Sequence, residues 1–197
     1  MSAKRKIKVV RKTKETSIVL EIGLDGKGAY RIKTPIPFLN HMLELFSKHG
    51  LFDLSLSALG DTEVDDHHLV EDIGICLGEA FDQLLQKKEG IRRYGFFTLP
   101  MDEVLTTVAI DFCGRPSFAY QTPIKTGRIK NFDLELVEHF FESFVHAAKI
   151  NLHILVHYGK IKHHIVESVF KAFARAIDMA TQIDPRVKGV PSTKGVL

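Results

Sequence analysis

Tryptophan does not occur in the sequence, and cysteine occurs only twice, at Cys76 and Cys113. Both cysteines sit in apolar segments and read as buried, reduced thiols, which excludes a disulfide-framed scaffold. Runs of about 18 apolar residues are also missing, so no segment reads as a membrane-spanning helix. A strong charge of either sign is absent: the net charge of +3 is too mild for a nucleic-acid coat or a polybasic membrane anchor. The basic start, Lys4-Arg5-Lys6 with Lys8, leads into alternating sequence and not into the apolar core of an export signal. The expectation is a soluble, cytoplasmic protein with neither nucleic acid nor membrane as partner. With 197 residues and 45% hydrophobic content the chain can bury a substantial core.

Histidine is plentiful, with ten copies, and their placement is informative once the elements are set out. Alternation predicts strands near 7–13, 17–24, 52–59, 103–112, 117–121 and 151–157. Helical spacing, as in Ile73, Leu77, Ala80, Phe81 and Leu84, predicts helices near 36–48, 66–86, 131–147 and 161–178. The order of elements in the first half recurs in the second. An offset of 88 places Glu15 on Glu103, Leu20 on Val108 and Gly26 on Gly114. An offset of 98 places His41 on His139, Glu44 on Glu142 and Leu54 on Leu152. An offset of 96 places His67-His68-Leu69-Val70-Glu71 on His163-His164-Ile165-Val166-Glu167. Each change of offset falls in a predicted connection, where length changes are tolerated. The fold class that follows is α+β, an internal duplication of two similar half-domains, each a mostly antiparallel sheet packed against two helices. The halves run over about 6–89 and 90–180 of a single 1–197 domain, with a tail at about 181–197.

On a helix, residues i and i+4 share a face, so His67 and Glu71 can reach one ion together. His68 is turned from His67 by about 100° and points to a different ion. The same holds for His163, His164 and Glu167. Two such clusters suggest two metals with ligands exchanged between clusters, and His41 and His139 on the preceding helices complete each set. Imidazoles with a carboxylate favour a borderline divalent ion, and the absence of thiolates argues against a structural zinc site. A single His-His-x-x-Glu run would also suit hydrogen-bonded surface histidines. Two in register, each with a matched extra histidine, argue for metal. His49, His146, His153 and His157 lack such pairing and read as packing or surface residues.

Signals for an anion accompany the histidines. The tail Pro191-Ser192-Thr193-Lys194-Gly195 offers hydroxyl, ammonium and backbone donors. Arg93 and Arg115 stand at turns, and a guanidinium fork suits phosphate oxygens. Lys171 lies one helical turn beyond Glu167.

In Phe38-Leu39-Asn40-His41-Met42-Leu43, His49-Gly50, Asp65-Asp66-His67-His68-Leu69-Val70-Glu71-Asp72, Gly114-Arg115-Pro116, His163-His164-Ile165-Val166-Glu167 and Pro191-Ser192-Thr193-Lys194-Gly195, the sequence resembles the imidazoleglycerol-phosphate dehydratase family of histidine biosynthesis. The resemblance runs in order over nearly the whole chain. One departure is Asn40, where the family usually has Asp. The resemblance implies a hydro-lyase that converts D-erythro-1-(imidazol-4-yl)glycerol 3-phosphate to 3-(imidazol-4-yl)-2-oxopropyl phosphate. It implies two Mn²⁺ per active site, each binding one nitrogen of the substrate imidazolate, whose ring then serves as the electron sink. Helical geometry and the repeat allocate His67, Glu71, His139 and His164 to one ion, and His41, His68, His163 and Glu167 to the other. Glu15 is the expected acid/base, acting with the catalytic set His41, His67, Glu71, His163 and Glu167. Arg93, Arg115, Ser192, Thr193 and Lys194 are the expected phosphate clamp, with Lys171 behind them. The resemblance further implies trimers that build a 24-subunit shell, with active sites between subunits.

Two other readings compete. A two-metal phosphohydrolase usually holds its ions about 3.5–4 Å apart, whereas an imidazolate bridge requires roughly 6 Å, from metal–nitrogen bonds of about 2.1 Å on either side of the ring. A non-enzymatic metal-binding protein would leave the arginines and the Ser-Thr-Lys-Gly tail without a role.

Overall fold

The computed structural model describes residues 5–197. The first half contains β1 (Lys6–Lys12), β2 (Thr16–Gly23), β3 (Tyr30–Lys33), α1 (Pro37–Gly50), β4 (Asp53–Gly60) and α2 (His67–Leu85). The second contains β5 (Tyr94–Met101), β6 (Val104–Asp111), β7 (Ser117–Gln121), the short pair β8 (Arg128–Ile129) and β9 (Phe132–Asp133), α3 (Glu135–Ala148), β10 (Asn151–Tyr158) and α4 (Lys162–Thr181).

The two four-stranded sheets have the same topology, β1-β2-β4-β3 and β5-β6-β10-β7. In each, three strands are antiparallel and the last edge strand runs parallel to its neighbour. The duplication extends to details of the chain. Helices α1 and α3 end alike, with Leu51 and Lys149 in left-handed conformation. Phe52 N–H and Ile150 N–H then reach back to Ser47 and Val145 carbonyls. All three of these residue pairs obey the offset of 98.

Strand alternation puts one face of each sheet inward, as in Ile18, Leu20 and Ile22 of β2, which are at most 1% exposed. Helix α2 packs on the first sheet and α4 on the second, and the halves join through α2 against α3 and α1 against α4. Backbones approach closely at the α2–α3 crossing. A Cβ on Gly74 would stand 2.7 Å from Phe140 O, and one on Gly78 2.5 Å from Phe144 O. Phenylalanines fill the space around this crossing: Phe81 meets Phe144, Phe144 meets Phe173, and Phe173 stacks on Phe46, with ring centroids 5.7, 5.1 and 5.5 Å apart. One continuous core therefore spans both halves, and it fixes the starts of α2 and α4 relative to α1 and α3.

The helix expected at 131–147 begins later. Phe132 and Asp133 belong to the β8–β9 hairpin, and α3 starts at Glu135. Four strands were not foreseen: β3, β5 and the two of the β8–β9 hairpin. β3 has only four residues on a sheet edge. β5 carries Gly95 and Pro100, which read as breakers. Pro100 is tolerated because β5 is an edge strand. The hairpin fills the long connection that breaks the repeat between β7 and α3. No helix among the described residues is long and apolar enough to cross a membrane.

Candidate active site

The His-His-x-x-Glu runs open α2 and α4, and the core holds both helices through the apolar residues that follow. Leu69, Val70 and Ile73 are buried below the first run, and Ile165, Val166 and Val169 below the second. The histidines are thereby left at the helix ends, half-buried.

Two centres form. In one, Glu167 Oε2 lies 3.1 Å from His163 Nε2 and 3.5 Å from His41 Nε2. These three donor atoms all lie within 4.8 Å of one another. Lys171 Nζ sits 2.5 Å from Glu167 Oε1, so each carboxylate oxygen has its own partner. Burial pushes the Glu167 carboxyl up. The Lys171 hydrogen bond and charge, with His41 and His163, outweigh burial and hold it below its ordinary value. In the other centre, His67 Nε2 and His139 Nε2 are 2.8 Å apart, across the α2–α3 crossing. Glu71 Oε2 stands 3.9 Å from His67 Nε2. Glu142 lies 3.8 Å from His139 Nδ1, on the other side of that ring.

His68 and His164 join neither centre of their own chain. Each turns its Nδ1 onto a carboxylate, His68 onto Asp61 Oδ2 at 3.0 Å and His164 onto Glu103 Oε2 at 2.9 Å. Those hydrogen bonds raise both histidines above their usual range. Glu103 is pulled down to about 2, chiefly by His164 and then by the Ile161 N–H. The structure thus gathers His41, His163 and Glu167 into one cluster, pairs His67 with His139 while Glu71 stands beside His67, and leaves the fourth residue of each set facing elsewhere. A groove of about 1350 Å³ runs between the centres, lined by His41, His163, His67, His139 and Phe38, with the β8–β9 hairpin along one side.

The donor chemistry fits a borderline divalent ion: both centres offer imidazole nitrogen and carboxylate oxygen. Thiolate is not on offer, since the buried Cys76 thiol is pushed up to about 12 by desolvation.

A second pocket, of about 530 Å³, is lined by Arg93, Arg115, Ser192, Thr193 and Lys194 together with Tyr94 and the chain end. The tail reaches it because Gly114 leaves room: a Cβ there would stand 2.7 Å from the Leu197 carbonyl carbon. Arg93 has a structural task as well. It grips Asp111 through Nε at 2.7 Å and Nη2 at 3.1 Å, and Pro191 O through Nη1 at 2.8 Å. Those bonds tie the tail to the sheet. Arg115 is exposed. Lys171 stands apart from this pocket, on Glu167.

Glu15 lies exposed in the β1–β2 turn, and its carboxylate has no partner among the described residues. It is close enough to His68 to raise it electrostatically. Asn40 does not contact the His41 ring. Its Oδ1 accepts from Thr34 N–H and Oγ1, and its Nδ2 donates to Thr34 O at 3.1 Å, a bond that a carboxylate could not donate. The sequence reading missed Asp61 and Glu103 as histidine partners. The placement of Glu103 on Glu15 in the repeat was the available signal for one of them.

A fold of two sheet-and-helix halves with paired imidazole–carboxylate centres defines a duplicated α+β enzyme, and comparison with known proteins narrows the class. The family model of imidazoleglycerol-phosphate dehydratase matches residues 34–177. The imidazoleglycerol-phosphate dehydratase of Rhodopirellula baltica is 55% identical, over 100% of this chain and 97% of its own length. That of Geobacillus kaustophilus is 53% identical, over 98% and 99%. The crystal structure of the Staphylococcus aureus imidazoleglycerol-phosphate dehydratase superposes with a TM-score of 0.82 at 36% identity, covering 91% of this chain and 99% of that one. The chain belongs to the imidazoleglycerol-phosphate dehydratase family and is a hydro-lyase.

Proposed function

We propose that this protein dehydrates D-erythro-1-(imidazol-4-yl)glycerol 3-phosphate to 3-(imidazol-4-yl)-2-oxopropyl phosphate, a step of histidine biosynthesis in the cytoplasm, at a site holding two Mn²⁺ ions. The observation that carries the reading is the His41–His163–Glu167 cluster, together with the His67–His139 pair and the neighbouring Glu71, in a chain that matches the family over nearly its full length.

His67, Glu71 and His139 would hold one ion and His41, His163 and Glu167 the other. His164 and His68 would be the fourth ligands. When bound, the two ions supply Lewis acidity that lowers the proton affinity of the substrate ring. The chain's own residues do the rest. Arg115, Ser192, Thr193 and Lys194 grip the phosphate with charge-assisted hydrogen bonds, and Arg93 adds its remaining N–H groups while fixing the tail. Phosphate anchoring sets the position of the glycerol chain and so which C–O and C–H bonds face the acid/base. Glu15, with a free carboxylate, moves the proton at its Oε atoms. Lys171 keeps Glu167 ionised.

The same reading extends to self-association, because His68 and His164 face away from the centres they would complete. The outer sheet faces carry apolar residues such as Val10, Leu59 and Phe96, at 64%, 67% and 67% exposure. A second copy of this chain is the occupant proposed for them, in trimers that build a 24-subunit shell with active sites between subunits. Stripping the protein with a chelator should abolish dehydration, and Mn²⁺ should restore it. Full turnover by metal-free, monomeric protein would refute both the di-metal site and the shared active site.

A further inference from the structure

The His68 and His164 rings are each held at one nitrogen. In both, Nδ1 faces a carboxylate, which leaves Nε2 on the far side of the ring. In the neutral ring a carboxylate at Nδ1 favours the Nδ1–H tautomer, which leaves the Nε2 lone pair free for a metal. The carboxylates are themselves fixed. Glu103 uses Oε2 for His164 and Oε1 for the Ile161 N–H at 2.9 Å, just ahead of α4. Asp61 is pinned by its backbone, its N–H donating to Glu15 O at 3.1 Å and its C=O accepting from Val64 N–H at 2.9 Å.

The proximity of Asp102, Glu103 and His164 also resembles a small metal site. Both Glu103 oxygens already accept a hydrogen bond, Oε2 from His164 and Oε1 from the Ile161 N–H. Positioning explains the cluster better than a third ion.

The two carboxylates do not correspond in the duplication. Glu103 matches Glu15 under the offset of 88, whereas Asp61 matches Gly159 under the offset of 98. The two halves therefore reach the same ring orientation from different loops. The β5–β6 turn supplies the carboxylate in one, and the β4–α2 loop supplies it in the other. Because Asp61 serves His68, Glu15 is released from the task that Glu103 performs for His164.

We propose that Asp61 and Glu103 are positioning residues that set the tautomer and aim of His68 and His164, presenting each Nε2 to a metal centre outside its own chain's two clusters. The proposal rests on the metal reading given above. It concerns how two ligands are presented, and not which reaction follows.

The test is Mn²⁺ titration of the metal-free full-length protein, with free ion followed by electron paramagnetic resonance. Asp61→Ala should weaken one of the two Mn²⁺ sites per chain, and Glu103→Ala the other, each by about 10–100-fold. Nitrogen-15 spectra of metal-free protein give a readout that loss of stability would not imitate. The parent should show His68 and His164 protonated at Nδ1, and each variant should shift its own histidine towards Nε2–H. If an alanine variant does not fold, Asp61→Asn or Glu103→Gln removes the carboxylate at constant size and should weaken the same site. Parent affinity at both sites with unchanged tautomers would overturn the proposal. A parent that binds two Mn²⁺ but never dehydrates the substrate would refute the proposed function and leave this test intact.

Discussion

At the His41–His163–Glu167 centre the carboxylate side chain is 11% exposed and clamped by Lys171, whereas at the His67–Glu71–His139 centre it is 41% exposed and 3.9 Å from the nearest imidazole. The residues proposed as ligands are copies of one another under the duplication. Their supports are not. The position matching Lys171 under the offset of 96 is Ile75, so the first centre has no lysine one turn beyond its glutamate. It has instead the closest imidazole pair, held by the glycine-lined crossing of α2 and α3. Duplication copied the proposed ligands. Divergence around each copy set how firmly the carboxylate or the imidazole is held.

The comparison breaks most sharply at the carboxylates. Glu167→Gln and Glu71→Gln should each lower kcat by at least about a thousand-fold, as expected for loss of a metal ligand. Only Glu167→Gln should also destabilise the fold, by about 2–4 kcal/mol, because it strands the ammonium of Lys171 in a largely buried place. Denaturant melts beside the activity assays check this, and equal stability of the two variants would erase the distinction.

A smaller effect isolates the lysine. Lys171 lowers the Glu167 carboxyl, so in Lys171→Met the upward push of burial is unopposed by its largest partner. A proton then competes with the metal for Glu167 at higher pH. Mn²⁺ binding followed from pH 5 to 8 should lose one site at a higher pH than in the parent, while the Glu71 site keeps its profile. An unshifted profile at both sites would show that the clamp has no bearing on metal binding.

The smallest effect on turnover is expected at the helix crossing. In Gly78→Ala the added methyl meets Phe144 O at 2.5 Å, so α2 must move off α3. Overpacking of this kind costs about 1–3 kcal/mol. It should loosen the His67–His139 pair and weaken the metal site there, leaving the α1–α4 site unchanged in the same titration.

Much of this arrangement was legible in the sequence, since helical spacing and a fixed offset are visible in one dimension. His67 with Glu71, and His163 with Glu167, follow from i,i+4 geometry. The pairing of His41 with the α4 run, and of His139 with the α2 run, was legible only through the repeat. Strand β5 stayed hidden because Gly95 and Pro100 interrupt its pattern, although an edge position accommodates both. The departure of His68 and His164 from their own chain's centres also stayed hidden, because their carboxylates come from separate loops. Asp61 lies seven residues from His68 and Glu103 lies 61 from His164. Spacing carries no record of such loop contacts. Lys171 was visible at i+4 from Glu167, yet its engagement with that carboxylate depends on burial that only the packed fold supplies.

The most direct measurement is product analysis with imidazole glycerol phosphate and Mn²⁺. The account predicts stoichiometric formation of imidazole acetol phosphate, with the phosphate ester intact and no inorganic phosphate released. Release of inorganic phosphate would make the paired centres those of a phosphohydrolase and contradict the account. Metal uptake with neither product would contradict it equally, leaving a metal-binding protein without this reaction.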